Sequence, residues 1–179
     1  MLVFLDKNFA DDHKELFTDV NKFTLIDDVI YEVDGKTVTE KFDSSAVNTG
    51  ANASAEEAEE GAEDGSTRGP DFVLACRLKK LDNPFSKKEY LTYLKNYLKT
   101  LDFPEDQKKE LQAKIQKYML TNVFPDKKKF AEFEQYVAEE LFVDLTTQPY
   151  PMICLLNYRE DTDAPYMVVF KHGCLEQKL

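Results

Sequence analysis

Gly50-Ala51-Asn52-Ala53-Ser54-Ala55-Glu56-Glu57 sits near the middle of a stretch, Ser44 to Pro70, that decides how the rest of the chain is organised. The stretch contains no aromatic residue and no Leu, Ile or Met. It holds four of the chain's six glycines, and its one larger aliphatic is Val47. Such a segment cannot bury enough apolar surface to offset the entropy of ordering its backbone. With six acids against one Arg, it reads as a long mobile acidic loop. The segment before it, about forty residues, is too short for an independent core. The 179 residues therefore read as a single domain, 1–179, from which 44–70 is an excursion rather than a linker.

Before the loop, Leu2 to Leu5 has the pattern of a short strand, and Asp11 to Val20 reads as a charged helical turn anchored by Leu16 and Phe17. Phe23–Ile26 and Val29–Val33 read as strands. Asp34-Gly35 then precedes the alternating Lys36-Thr37-Val38-Thr39-Glu40, and Asp-Gly between two β-prone runs predicts a hairpin turn with positive φ. After the loop, Phe72 to Leu78 is apolar enough for a strand, and the period then changes. Ser86 and Glu89 form a Ser-x-x-Glu capping box at a helix start. Leu91, Leu94, Leu98 and Leu101 follow as one apolar stripe, widened by Tyr90, Tyr93 and Tyr97. Pro104 opens a second helix, buried through Leu111, Ile115, Tyr118 and Met119. Pro125 interrupts it, and Phe130, Phe133, Val137 and Leu141 continue the helical spacing, so the helical region reads as 86–140. Strands return at Ile153–Tyr158 and Tyr166–Phe170, with a last short one from Leu175. Strands, then helices, then strands give an α+β fold around a mostly antiparallel sheet.

The chemistry-bearing residues are sparse. There is no Gly-x-Ser-x-Gly, no phosphate-binding Gly-rich loop and no His-Glu-x-x-His. His13 lies in a charged segment and His172 precedes Gly173 at a turn, so an enzyme reading would need the fold to bring one of them against a cysteine. Cys76, Cys154 and Cys174 are isolated, odd in number and set in or beside apolar runs, as buried free thiols are. Counting Asp161 as the first position of a calcium loop puts Tyr166 where Gly is required and His172 where a bidentate Glu is required. The pairs Asp11/Asp12 and Asp27/Asp28 and the run Glu56–Asp64 remain as carboxylates for weak calcium binding, against the plainer reading of solvated surface acids.

Net charge is −11, yet Ser86 to Lys129 carries eleven Lys against six acids. An acidic total argues against nucleic acid as partner. The basic block, with Lys87, Lys88, Lys95 and Lys99 foremost, reads as a solvated face or as a surface for an acidic protein. No apolar run is long enough to span a bilayer. Met1-Leu2-Val3-Phe4-Leu5 lacks a basic flank and a cleavage site, so a cytoplasmic location is expected.

These pieces together resemble the translationally controlled tumour protein family. The resemblance is carried by Gly50, Asn52, Ser54 and Glu56 of the loop string, by His13-Lys14-Glu15-Leu16-Phe17-Thr18-Asp19, by Phe85-Ser86-Lys87-Lys88-Glu89-Tyr90, by Leu155-Leu156-Asn157-Tyr158-Arg159-Glu160-Asp161, and by the ending Gly173-Cys174-Leu175-Glu176-Gln177-Lys178. It implies a β-tent: a mostly antiparallel sheet with a projecting α-helical hairpin and a long mobile acidic loop. Relatives of that fold hold zinc through Cys-x-x-Cys pairs, which this chain lacks, so neither zinc nor another cofactor is expected. The family resemblance implies a non-enzymatic, cytoplasmic, monomeric regulator of growth and survival, anti-apoptotic and capable of secretion without a signal peptide. Its implied partners are Ras-like GTPases, the elongation factor one complex, tubulin and Bcl-2 relatives, together with calcium. Glu15 would touch the GTPase. The alternative is calcium and microtubule binding through the acidic segments and the basic helical hairpin.

Overall fold

The computed structural model describes residues 1–40 and 66–179. Most of the predicted acidic loop, including Gly50, Asn52, Ser54 and Glu56, lies outside the described residues. The strands are β1 (Leu2–Asp6), β2 (Glu15–Thr18), β3 (Phe23–Ile26), β4 (Ile30–Asp34), β5 (Thr37–Glu40), β6 (Thr67–Pro70), β7 (Lys79–Lys80), β8 (Glu134–Val137), β9 (Cys154–Tyr158), β10 (Pro165–Phe170) and β11 (Cys174–Lys178). The helices are α1 (Asp71–Cys76), α2 (Lys87–Lys99), α3 (Lys108–Tyr118) and α4 (Lys127–Glu132). A six-stranded sheet in the order β3-β4-β10-β9-β8-β7 is accompanied by a three-stranded sheet, β11-β1-β2, and by the pair β5-β6. Every ladder among the described residues is antiparallel. The fold is α+β, as the order of sequence patterns implies.

The two larger sheets meet over an aromatic box. Phe4 stacks on Phe17 at 4.2 Å between ring centroids, and Phe23 and Tyr31 meet both edge-on at 5.3–5.6 Å. Edge-to-face contacts of this kind add to the gain from area burial alone. Helix α2 packs toward the six-stranded sheet, its Tyr97 ring 6.0 Å from that of Phe170 in β10, while α1 packs on β2, β5 and β6, and the buried face of α2 differs from the leucine stripe. Tyr90, Tyr93 and Tyr97 are fully buried, whereas Leu91 is 43% exposed. The three tyrosines are one turn apart, on the face turned toward the protein interior. The Tyr93 hydroxyl donates to the Pro151 carbonyl (2.7 Å) and accepts from the Ile153 amide (2.8 Å), which ties α2 to the chain entering β9.

Several elements differ from the sequence reading, each for a local reason. Asp34-Gly35 makes no hairpin, because β4 pairs with β3 and β10 while β5 pairs with β6. Gly35 is required by crowding: a Cβ there would stand 2.5 Å from Asp71 Oδ1 and 2.6 Å from the Phe72 ring. The 72–78 run is helical rather than extended. Asp71 opens α1 by accepting from the amides of Phe72 (2.9 Å) and Lys36 (3.1 Å) and from Asn21 Nδ2 (3.0 Å), and Arg77 closes it in the left-handed region. The 11–20 segment divides into a 3-10 turn over Lys7–Asp12 and strand β2, which buries Leu16 and Phe17. Helix α3 begins at Lys108, after a turn in which the Gln107 amide donates to the Pro104 carbonyl. The last helical piece stops at Glu132. Gln135, Tyr136 and Val137 are buried in succession and form β8 between β7 and β9, and a run buried on both faces carries no period that separates strand from helix.

Candidate functional site

Three places hold the residues the sequence singles out. The first is the start of β2. Glu15 is partly exposed on an open cleft of about 340 Å³ shared with Asp12, His13, Lys14, Cys76 and Arg77. His13 Nε2 stands 3.5 Å from the Glu15 carboxylate. Arg77 and Lys14 are held by Glu139 (3.6 Å) and Glu140 (3.7 Å). His13, Arg77 and Glu140 all have positive φ, at 53°, 56° and 64°. Non-glycine residues in that region cost energy, and such residues cluster where the surroundings fix a functional surface. This cleft does bring a histidine and a cysteine together. The thiol, however, is not activated: burial, and after it the neighbouring Glu15 carboxylate, push the Cys76 thiol up to about 12. A nucleophilic cysteine needs the opposite shift.

The second place is the turn between β9 and β10. Tyr158 and Glu160 face solvent, but Arg159 turns back over the sheet. Its Nη2 lies 3.0 Å from Glu32 Oε1 and 2.8 Å from Asp34 Oδ1, and the guanidinium covers the Tyr166 ring at 3.9 Å. Glu32 in turn accepts from the Tyr118 hydroxyl at 2.5 Å. Arg159 therefore joins β4, the β9–β10 turn and the end of α3 through one nitrogen that bridges two carboxylates, while its planar guanidinium lies over a ring, a contact that a lysine does not reproduce. The sequence marked Arg159 only as part of a string; no local pattern announces partners 125 residues away.

The third place is the outer side of the helices. Leu91, Leu94 and Leu98 of α2 line, with Ile115 of α3, Met119 and Leu120 beyond it and Phe124, a groove of about 390 Å³. Leu91 and Leu120 are 43% and 56% exposed. Lys95 and Lys99 stand on its rim, and a neighbouring hollow of about 470 Å³ adds Lys87, Lys88 and Lys127. Among the described residues none of these five lysines has a carboxylate partner, whereas Lys114 and Lys129 pair along their own helices. Lys87 Nζ lies 5.7 Å from the centre of the Phe124 ring. The four basic residues named from sequence thus share one surface with an apolar floor. The leucine stripe gives no signal of this floor, because nothing in its spacing shows that Leu91 is left 43% exposed.

His172 meets the Phe103 ring at 4.8 Å in a tilted contact, and burial, then the Lys171 charge, lowers its pKa. Asp28 is engaged by Lys171 at 2.6 Å. Among the described residues, no group of three or more His, Cys, Asp or Glu side chains is placed to hold a metal ion. No helix of the described residues is long and apolar enough to cross a membrane.

Residues 1–175 match the family model described as translationally controlled tumour protein. The chain belongs to that family. A translationally controlled tumour protein homologue of Alternaria alternata is 40% identical over 182 residues, covering all of both chains. The Schistosoma japonicum homologue is 37% identical over 187 residues and 99% of each chain, and the Saccharomyces cerevisiae homologue 34% over 180 residues and all of both. Among solved structures, the translationally controlled tumour-associated protein of Schizosaccharomyces pombe covers both chains fully at a TM-score of 0.67 and 33% identity. The Caenorhabditis elegans protein covers 100% of this chain and 99% of its own at 0.65 and 24%, a likeness of fold. As in those translationally controlled tumour proteins, mixed helix and mostly antiparallel sheet make up the structure, which is the architecture the resemblance implied.

Proposed function

We propose that this member of the translationally controlled tumour protein family is a non-enzymatic regulatory protein that works by binding other proteins. Its principal contact is the α2–α3 groove. The observation that carries this reading is the coincidence of an apolar floor with five lysines that lack carboxylate partners among the described residues, in a chain whose net charge is −11. An acidic amphipathic helix complements both features, its apolar anchors at i, i+3, i+4 and i+7 entering the groove and its carboxylates meeting the rim. Of the partners the family implies, the elongation factor one complex is the one we assign to this face. Calorimetric titration of the purified complex tests it: Lys95→Glu with Lys99→Glu should weaken binding at least tenfold, and an unchanged affinity refutes the assignment.

A second contact, with a Ras-like GTPase, is favoured by the cleft at Glu15, where two positive-φ residues, His13 and Arg77, line the cleft beside a carboxylate in reach of solvent. A carboxylate delivered to a nucleotide site competes with phosphate for magnesium and lysine. Nucleotide release from a Ras-like GTPase should accelerate with this protein and lose that acceleration with Glu15→Ala; no acceleration by the unaltered protein removes the contact. Calcium and tubulin remain proposals of the same kind. For calcium, site-localised NMR shifts below millimolar concentration are the required result.

A further inference from the structure

We propose that the acidic segment seated in the groove runs on past the start of α2 and places an aromatic side chain in a second hollow, floored by Phe130 and Phe133. The inference rests on the groove reading above and adds to it an anchor and a direction. This hollow, of about 390 Å³, lies between Pro84 and Phe85 on one side and Ala131 on the other. Phe130 and Phe133 are each 5% exposed, so they form a floor and not a projecting patch. The one buried polar side chain there, Gln135, is already satisfied, donating through Nε2 to the Phe85 carbonyl and accepting through Oε1 from the Phe85 amide, both at 2.9 Å. What the hollow offers a ligand is therefore apolar surface with cations at its lip.

The hollow is continuous with the groove. Lys87 and Lys127 line both it and the middle hollow, which shares Leu91 and Lys95 with the groove. A segment following this track meets the leucine floor, then a lysine ridge, then the phenylalanine floor. The ridge suits acidic residues, and the last floor suits a ring that stacks on phenylalanine beneath lysine ammonium groups.

Direction follows from charge. The track leaves the groove at the N-terminal end of α2, where Lys87 and Lys88 open the helix and Lys127 stands opposite. The capping box occupies the Ser86 and Glu89 amides and sets both side chains over the helix start, so that end acts on a partner through its lysine charges and helix dipole. A partner helix lies most favourably with its own C-terminus there, antiparallel to α2. The aromatic residue then follows the partner helix instead of preceding it.

Three synthetic peptides test this by fluorescence anisotropy with the full-length protein: an acidic amphipathic helix of about 14 residues with leucine at i, i+3, i+4 and i+7, the same helix with a C-terminal Gly-Trp, and the same with an N-terminal Trp-Gly. The C-terminal extension should tighten binding about tenfold, the gain expected of one seated aromatic ring after its ordering cost. Ala131→Gln, which fills the hollow from an exposed helical position, should remove that gain and leave the unextended peptide unaffected. Equal affinities for all three peptides, or a gain confined to the N-terminal extension, overturn the proposal while leaving the groove reading in place. Failure of the unextended peptide to bind overturns the groove reading itself. Self-association of the protein that Ala131→Gln abolishes would assign the hollow to a second copy and also overturn the proposal.

Discussion

Asp6 is the strongest internal test of the electrostatics. It ends β1, is completely buried, and accepts hydrogen bonds from the amides of Met152 (2.8 Å) and Asn8 (3.1 Å). Burial raises its pKa from 3.8 to about 6, against the two amides, which lower it. The folded protein thus binds a proton at Asp6 over the window between about 3.8 and about 6 in which the unfolded chain has released it. The sign is opposite to that of a salt-bridged carboxylate. Asp6 makes its largest contribution to stability when protonated, and that contribution falls as pH rises through the folded value. Integrating the linkage between pH 7.5 and 5 gives a gain of roughly 1 kcal/mol on acidification from this group alone. Asp6→Asn removes the titration. It also turns an amide NH₂ toward one of the two backbone donors, a mismatch costing about 1–3 kcal/mol that offsets relief of the buried charge. Absolute stability at neutral pH is therefore a poor readout, and the slope is a good one. Urea unfolding at pH 5 and 7.5 should show Asp6→Asn gaining less on acidification than the unaltered protein, by roughly 1 kcal/mol. Identical pH slopes for the two proteins would refute the assignment of the proton to Asp6.

Other substitutions report on the framework. Gly35→Ala should destabilise by about 1–3 kcal/mol, since the new Cβ meets the Asp71 carboxylate and the Phe72 ring, and chemical denaturation with an unchanged m-value is the check. Arg159→Ala should cost about 2–3 kcal/mol by leaving Glu32, at 16% exposure, without its cation. Arg159→Lys should recover only part of that loss, because one ammonium can still bridge the two carboxylates while the planar contact with the Tyr166 ring goes; full recovery by lysine would show that charge alone matters. Ser86→Ala should cost about 1 kcal/mol and raise amide exchange in the first turn of α2, where the Glu89 amide loses its acceptor.

Much of the architecture was legible in the sequence because local chemistry and burial agree there. The capping box at Ser86 and Glu89 forms as its residue types require, β3, β4 and β10 fall where β-branched and aromatic residues are dense, and β9 falls on a short apolar run. The misreadings share a cause: neighbours distant in sequence overrode a local signal. Asp34-Gly35 has the composition of a turn, yet its glycine is demanded by Asp71 and Phe72, which arrive from beyond the loop. Phe72–Leu78 has strand composition, but one carboxylate collecting three donors, two of them from residues 36 and 21, starts a helix instead. At the candidate sites the lysines were visible as charge and Glu15 as part of a motif. The apolar floor between α2 and α3 was not, because a leucine stripe carries no mark of which leucines the tyrosines will displace from the core.

That displacement links fold to function. A helix of leucine and lysine alone buries its leucines and leaves a uniformly polar exterior. In α2 the tyrosines at 90, 93 and 97 occupy the buried face, and Tyr93 spends its hydroxyl on holding the Pro151–Ile153 segment in place. Leu91 is thereby left 43% exposed, with the buried Leu94 and the half-buried Leu98 beneath it as the floor of an apolar groove toward α3. Left alone such a groove invites aggregation, but the lysines along it, unpaired among the described residues, repel second copies of that face while attracting acidic chains. Exchanging Tyr93 for Phe separates the two roles: the ring still fills the core, while two buried hydrogen bonds are lost. The protein should then unfold about 1–3 kcal/mol more easily yet keep a groove of the same composition. If Tyr93→Phe instead abolished binding of an acidic helix while leaving stability unchanged, the groove would depend on the tyrosine hydroxyl in a way that packing does not explain, and the assignment of leucines to the surface by ring displacement would fail.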